Sequence, residues 1–477
     1  MNFLTFTFLI FLPLSIFCYY LCPKKAQNMV LLAANYIFYL WSLPSLGVYL
    51  VISTLVAYLC ARAIECGFHR RFWLIVGILY LFGMLLVFKY LDFVCQTFLR
   101  LAGSGTDFQL GLILPIGISF YSFSLAGYLF DVYREKMAAE RNLLRFAALA
   151  SFFPSVLSGP ILRARDFLPQ LSQARRFDLE QFKSGLWRFL CGAGKKLILS
   201  SMLLEVIEPV YSSPYDYGSG MWLLTAVAYS IYIYIDFAAY SDMAIGIARM
   251  LGLMLMENFC APYLSRSVQQ FWKKWHISLT SWFREYLYFP LGGSRGTKYR
   301  TWFNILIVFA VSGLWHGAGF TFLIWGLLNG MYQVVGEITQ PLRTGLRKRL
   351  HIGENAWYVI AFQGVFTFSL ITVAWIFFRA VSMEQAIFIL KRIALILRDG
   401  CGPIQVLLSW RKLSILFSAL ALCVVEDVRV SRGKQSFRIE RTTFRYWIGA
   451  AVLACVIFLF GQYGPGYQAQ DFVYFRF

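Results

Sequence analysis

The feature that most constrains this chain is a series of long apolar runs in which polar and apolar residues do not alternate. Residues 73–88 and 448–460 are two examples. The strands of a membrane barrel instead alternate in polarity over segments of about ten residues. A helix needs about 20 apolar residues to cross the hydrocarbon core of a bilayer. The runs therefore predict an all-α, polytopic membrane protein with roughly 10–12 transmembrane or re-entrant helices.

Composition supports a membrane protein and excludes two other classes. The 477 residues are 59% hydrophobic and 14% charged, whereas soluble domains contain about 25% charged residues. A soluble protein of this composition would expose large apolar patches, and disordered chains are poor in aromatic residues. We expect a single membrane-embedded domain over residues 1–477. Its core motifs lie in residues 111–335, with N-terminal helices in 1–110 and C-terminal helices in 357–477.

The apolar runs give the approximate positions of the spans. Residues 149–162 are too short to cross as a helix and contain Pro154, Gly159 and Pro160, so we expect a re-entrant or interfacial segment there. Residues 386–397 form a weaker apolar segment. The predicted spans are residues 3–21, 29–43, 46–61, 72–88, 111–130, 186–207, 221–240, 302–314, 320–335, 357–378, 413–425 and 446–460.

The excess of basic residues predicts the topology. Lys and Arg number 44 against 24 Asp and Glu, and they lie in short loops between spans, as the positive-inside rule describes. Residues 134–145, 163–176 and 343–349 should be cytoplasmic, while residues 211–220 lack Lys and Arg and should face outside. No Lys or Arg precedes the first run, so we expect an uncleaved span. The sequence has no nucleic-acid-reading motif, so no nucleic-acid partner is expected.

Residues 271–287, FWKKWHISLTSWFREYL, show helical spacing of aromatic residues on one side and cations on the other. This pattern predicts one amphipathic helix in the membrane interface, anchored by Trp275 and Trp282. His276 lies on or near the aromatic face. Its imidazole is either a hydrogen-bonded structural group or a functional one, and the sequence leaves both open.

His316 is the strongest candidate for chemistry. It lies in residues 311–321, VSGLWHGAGFT, between two apolar runs and among glycines. Ionisable residues at membrane depth usually line a cavity or pathway. An imidazole with an ordinary pKa of about 6.5 suits a general base near neutral pH. The alternative is a histidine that is hydrogen-bonded between packed helices.

Other candidates are fewer. Asp236 and Asp242 are carboxylates within or beside a span, where they could serve a pathway, pair with Arg249 or cap a helix. The sequence contains no G-x-S-x-G element and no phosphate-binding glycine loop. The ten cysteines form no C-x-x-C pair, and His69 and His351 lie in basic loops, so no metal site is expected.

Several blocks of sequence are similar to a known family. Two Trp-His pairs lie 40 residues apart, at His276 and His316. Together with the blocks below, they make the chain resemble the membrane-bound O-acyltransferases, above all the bacterial branch that O-acetylates alginate and related exopolysaccharides. The resembling blocks are residues 114–135, 234–252, 257–293, 312–330 and the ending FVYFRF at 472–477.

The resemblance implies a tunnel through the bilayer, with His316 as the general base and His276 as a second site histidine. It implies transfer of an acyl group from a cytoplasmic thioester, acetyl-CoA or another, to a polysaccharide hydroxyl, directly or through a periplasmic acetyltransferase partner. The protein would lie among the lipids of a bacterial inner membrane and hold no bound cofactor. Tunnel or supporting residues would be Trp315, Asp236, Asp242, Asn258, Trp275, Arg284 and Glu285.

Two other functions remain open from the sequence. One is a D-alanyl transferase of the teichoic-acid D-alanylation type, which would take its acyl group from an acyl-carrier protein. The other is a transporter with His316 and Asp236 in its pathway. Transporters built from inverted halves contain paired discontinuous helices, and this sequence shows no internal repeat.

Overall fold

The computed structural model describes residues 1–41, 44–103, 108, 110–402, 404–405, 407–433, 443–463 and 472. These residues form helices and turns, with no β-strand among them, which confirms the all-α prediction. Within these described residues, four helices are long and apolar enough to cross a membrane, as a multi-pass protein requires. The total of 10–12 membrane segments stays a prediction. The four are Pro44–Glu65, Arg70–Leu99, Ser219–Met250 and Trp357–Arg379.

The chain divides into two compact units. The first contains Met1–Ala193 and Tyr240–Glu257, and the second contains Gly194–Ala239 and Asn258–Val473. The single-domain organisation of residues 1–477 stays a prediction. The helices that begin before residue 194 are Phe6–Leu21, Gln27–Leu40, Gly47–Glu65, Arg70–Leu85, Leu91–Leu101, Ile118–Tyr133, Leu143–Ala150, Phe153–Val156, Ala164–Ser172 and Leu179–Gly194.

The predicted site residues lie in or between the later helices. π-Helical segments at Leu86–Tyr90 and Lys195–Ser200 join neighbouring helices, and a third at Arg284–Tyr288 extends the helix Ile277–Phe283. The helices are Ser201–Ser212, Ser219–Met250, Val268–Lys274, Ile277–Phe283, Lys298–His316, Phe320–Ile338, Gln340–Arg349, Trp357–Arg379, Met383–Ala394, Ile396–Asp399, Trp410–Ser431 and Thr443–Phe460, with short 3₁₀ turns at Lys24–Ala26, Pro44–Leu46 and Pro262–Leu264.

Hydroxyl and amide side chains start several of these helices. Ser267 accepts a hydrogen bond from the backbone N–H of Gln270, and Thr297 accepts one from Arg300. Such caps satisfy backbone donors that lack a partner within the helix. Thr5, Asn142, Ser382 and Ser409 act in the same way. The starts of these helices are therefore set by residues close by in the sequence.

One predicted span begins later than the sequence suggests. Residues 111–130 were expected to be helical, but the helix is Ile118–Tyr133. Gly117 precedes it with a φ of 76°, and a Cβ there would lie 2.1 Å from the carbonyl oxygen of Val156. The close approach of the backbone fixes the helix start, which apolar periodicity alone cannot reveal.

Residues 149–162 form short pieces, as expected for a segment that cannot cross as one helix. Leu143–Ala150 and Phe153–Val156 are separated by two residues. The buried amide of Asn35 bridges them, because it donates to the carbonyl of Ala148 at 3.2 Å and accepts from the N–H of Phe153 at 3.0 Å. The position of this segment relative to a membrane stays a prediction.

In the second unit, glycines allow two helices to pack with their backbones almost in contact. Lys298–His316 and Phe320–Ile338 form an antiparallel hairpin. A Cβ on Gly313 would lie 2.3 Å from the carbonyl oxygen of Phe322, and one on Gly326 would lie 2.2 Å from that of Phe309. The glycines around His316 thus admit a neighbouring helix.

We expect Gly326→Ala to lower the free energy of unfolding by about 1–3 kcal/mol, because the added methyl group overpacks a backbone contact. Gly336→Ala is the matched control in the same helix, since nothing lies within 4 Å of its Cβ position. The control should be neutral or stabilising by up to about 1 kcal/mol. Thermal unfolding in detergent measures both. Equal melting temperatures for the two variants would contradict the close approach.

Candidate active site

The segment predicted as one amphipathic helix, residues 271–287, is in fact broken at His276. The chain forms Val268–Lys274 and Ile277–Phe283, with His276 between them at φ 43° and ψ 54°. This left-handed backbone costs a non-glycine residue about 1–2 kcal/mol. The prediction of a continuous helix was wrong because amphipathic spacing does not report such a break.

Asn258 compensates for the break. Its carbonyl oxygen accepts the N–H of Ile277 at 2.9 Å. Its side-chain oxygen accepts the hydroxyl of Ser278 at 2.7 Å and the N–H of Ser278 at 3.3 Å. Asn258 therefore satisfies backbone donors at the start of the second helix. In the structure this predicted supporting residue holds the backbone next to His276.

The two faces predicted for residues 271–287 do occur, but the aromatic face packs against protein. Trp275 is 1% exposed and contacts the rings of Phe271, Phe259 and Trp375 at centroid distances of 5.1–5.3 Å. Trp282 is also buried. The prediction that these tryptophans anchor the helix at the lipid interface was therefore wrong. On the other face, Arg284 is exposed and Glu285 half-buried.

His276 lies in an aromatic environment. It is 1% exposed, and its ring meets that of Phe237 edge-on at 4.7 Å and that of Trp315 at 6.0 Å between centroids. It lies outside the helices long enough to cross a membrane. Burial lowers the pKa of His276 to about 3, because the apolar surroundings disfavour the cation. The imidazole is therefore neutral at physiological pH.

His316 is the last residue of Lys298–His316 and is equally buried. Three rings surround it, those of Trp315 at 4.8 Å, Trp325 at 4.9 Å and Phe378 at 5.2 Å between centroids. The following Gly317 allows the chain to turn beneath Phe322, whose ring would lie 2.2 Å from a Cβ at that position. The helix end and the glycine turn together fix the position of the imidazole.

Trp315 is a neighbour of both histidines. Its ring contacts both imidazoles, and the two separations place the imidazole centroids within about 11 Å of each other. The two histidines belong to the second unit and are 40 residues apart in the chain. Their arrangement can place one imidazole at a reacting group and the other along the bound substrate.

Asp236 and Asp242 form ion pairs with cations that the sequence analysis did not name. Asp236, in the second unit, accepts hydrogen bonds from Lys196 Nζ at 2.6 Å and from Ser200 Oγ at 2.7 Å. Asp242, in the first unit, accepts from Arg188 Nε at 2.9 Å. The sequence alternative had instead named Arg249, which contacts Glu257 at 3.5 Å. Both carboxylates therefore lie against a basic side chain of their own unit.

Sequence reasoning missed several residues around the site. Lys196 is buried, and its Nζ lies 4.3 Å from the ring centroid of Phe472. Its position inside a predicted span was the signal, since a lysine there needs a partner. Trp325 and Phe378 gave no such signal, because an aromatic residue in an apolar helix resembles any other core residue. Within the described part of the chain, no three His, Cys, Asp or Glu residues cluster as a metal site would require.

Comparison with known proteins decides the family. A model of the membrane-bound O-acyltransferase family matches residues 128–383, which include both histidines. This chain belongs to that family. It is 36% identical over 384 residues to a probable alginate O-acetylase AlgI of Azotobacter vinelandii, covering 79% of this chain and 74% of the relative. The resemblance found in the sequence is thereby confirmed.

This membrane-bound O-acyltransferase is also similar to two relatives with other names. A peptidoglycan O-acetyltransferase of Helicobacter pylori is 30% identical over 420 residues, covering 80% of this chain and 77% of the relative. A teichoic acid D-alanyltransferase of Bacillus subtilis is 26% identical over 261 residues, covering 52% of this chain and 65% of the relative. The protein is therefore a multi-pass membrane enzyme that transfers acyl groups to oxygen.

Proposed function

We propose that this enzyme transfers an acetyl group from a cytoplasmic thioester, such as acetyl-CoA, to hydroxyl groups of a cell-surface polysaccharide. The observation that carries the proposal is the pairing of two buried histidines through Trp315, inside the region that matches the family. The names of the relatives at 30% identity or more, an alginate O-acetylase and a peptidoglycan O-acetyltransferase, support acetyl as the group and a cell-envelope polymer as the acceptor.

His316 is the proposed general base. A sugar hydroxyl is a weak nucleophile until a base takes its proton during attack. The imidazole of His316 accepts that proton as the oxygen attacks the thioester carbonyl. The resulting tetrahedral oxyanion collapses to the ester and expels the thiolate, which the imidazolium protonates. A site enclosed by three aromatic rings excludes water, and this strengthens hydrogen bonds to the developing charge.

His276 is proposed to orient the donor or the acceptor. Because its pKa is about 3, it is neutral and can donate or accept a hydrogen bond throughout the physiological pH range. Its left-handed backbone supports a positioning role, because such strain persists only where the surrounding structure holds the residue in place. The supporting roles of Trp315, Trp275, Arg284 and Glu285 in a tunnel belong to the same proposal.

We expect His276→Ala to reduce acetyl transfer but to leave measurable turnover, and to raise the KM for the donor more than it lowers kcat. His351→Ala is the matched control, because His351 is exposed and also has a left-handed backbone, at φ 51°. The control should keep the wild-type rate. Complete loss of turnover in His276→Ala, together with a His316→Ala enzyme that only shows a raised KM for the donor, would reverse the two assignments.

The proposed location is a bacterial inner membrane. The basic stretches at 163–176 and 343–349 would face the cytoplasm, where they would attract an anionic donor. The acceptor would be on the other side, with or without a periplasmic partner protein. A tunnel between the two sides is part of this proposal.

D-alanyl transfer from an acyl-carrier protein is the second candidate. It is supported by the similarity to the teichoic acid D-alanyltransferase, which covers about half of this chain. The alginate O-acetylase relative covers 79% of the chain at higher identity, which favours acetyl transfer. Membership of an acyltransferase family disfavours the transporter.

The donor distinguishes the two candidates. Membranes containing the enzyme can be supplied with radiolabelled acetyl-CoA or with a carrier protein loaded with labelled D-alanine. We expect label in the polysaccharide fraction from acetyl-CoA, and the His316→Gln variant serves as the blank. Label that comes from the carrier protein alone would establish D-alanyl transfer instead.

A further inference from the structure

A short basic helix, Gln340–Arg349, follows the apolar helix Phe320–Ile338 after a single residue. Both helices belong to the second unit. The nearby acid Glu354 lies 3.9 Å from Arg347. The positive charge of this segment therefore exceeds its negative charge. The cations of the helix are Arg343, Arg347, Lys348 and Arg349.

The same helix exposes a row of leucines. Large apolar side chains recur every three or four residues through both helices, and each is at least half exposed. Thr339, between the helices, keeps a right-handed helical backbone. Such spacing places side chains on one face. The exposed apolar face of the first helix therefore continues onto the basic helix. Its members are Met331, Val335, Ile338, Leu342, Leu346 and Leu350.

We propose that Gln340–Arg349 is an interfacial helix that binds the headgroups of anionic phospholipids. Its leucines would enter the boundary of the acyl chains, while its cations contact the phosphates. Clusters of at least four Lys or Arg next to a membrane helix attract anionic lipids. An acidic carrier protein would also complement the cations. The lipid is favoured because the apolar row continues from a helix that the sequence places in the membrane.

A fluorophore on the helix tests this inference. Gly345 is a suitable attachment point, because nothing lies within 4 Å of its Cβ position. The full-length Gly345→Cys protein, in a background without its ten native cysteines, is labelled and reconstituted in equal parts phosphatidylcholine and phosphatidylglycerol. Trace spin-labelled phosphatidylglycerol should quench the fluorophore more strongly than spin-labelled phosphatidylcholine. Lys348→Gln/Arg349→Gln should reduce this preference, by up to about fivefold per cation.

The matched control is Lys391→Gln/Arg392→Gln, which removes two cations from the last turn of another helix, Met383–Ala394. It should leave the lipid preference at residue 345 unchanged. Equal quenching by the two lipids in the parent protein would overturn the inference. So would a loss of lipid preference in the control as large as that in Lys348→Gln/Arg349→Gln. Shielding of the fluorophore from both lipids by an added acyl-carrier protein would identify a protein partner instead. None of these outcomes depends on acyl transfer.

Discussion

The His316→Ala enzyme is expected to transfer acetyl groups about 10²–10⁴-fold more slowly than the wild type, the range typical of a lost general base. The physical reason is that no other imidazole is proposed to take the proton from the acceptor, since His276 is assigned to orient the donor or the acceptor. The initial rate of ester formation from acetyl-CoA measures the effect. His316→Gln keeps a similar side-chain volume and should be equally slow.

Two controls separate chemistry from folding. His69→Ala removes an exposed histidine and should leave the rate unchanged. The melting temperatures of the two His316 variants show whether the aromatic enclosure survives the substitution. A correctly folded His316→Gln enzyme with a near-normal rate would exclude the general-base role.

Removing one partner of the Lys196–Asp236 pair is expected to lower the free energy of unfolding by about 3–5 kcal/mol. The two side chains are 5% and 1% exposed, and Lys196 Nζ lies 2.6 Å from Asp236 Oδ1. In Asp236→Asn the ammonium of Lys196 would remain buried without a carboxylate. In Lys196→Met the carboxylate of Asp236 would remain buried without the ammonium group. Thermal unfolding in detergent measures each change.

The double variant Lys196→Met/Asp236→Leu is the decisive comparison. Replacing both partners of a buried ion pair by apolar groups is often close to neutral. The double variant should therefore melt at a higher temperature than either single variant. If the destabilisation of the double variant equals the sum of the two single effects, the two side chains do not act as a pair.

Much of the fold could be predicted because the physics that sets it is local. Long apolar runs predict helices, since a backbone in lipid must satisfy its own hydrogen bonds. Residues 357–378, for example, correspond to the helix Trp357–Arg379. Within residues 271–287, Lys273 and Arg284 are exposed, as expected for cations of the predicted polar face.

The site could be predicted only in part. Both histidines stand out because an ionisable group in apolar sequence is unusual, and the Trp-His pairs carry the family resemblance. The left-handed backbone at His276 depends on Asn258, a long-range contact that the spacing does not contain. The ring of Trp325 against His316 likewise depends on the glycine packing of two helices. Tertiary contacts of this kind have no periodic signal.

Everted membrane vesicles test whether the enzyme transfers acetyl groups across the membrane. Radiolabelled acetyl-CoA is added outside, at the original cytoplasmic face, and the vesicles retain any periplasmic partner and acceptor inside. We expect base-labile acetyl esters on polysaccharide in the vesicle lumen, formed by the wild type and lost in His316→Gln. Equal labelling by the two proteins, or esters confined to the donor side, would contradict this expectation.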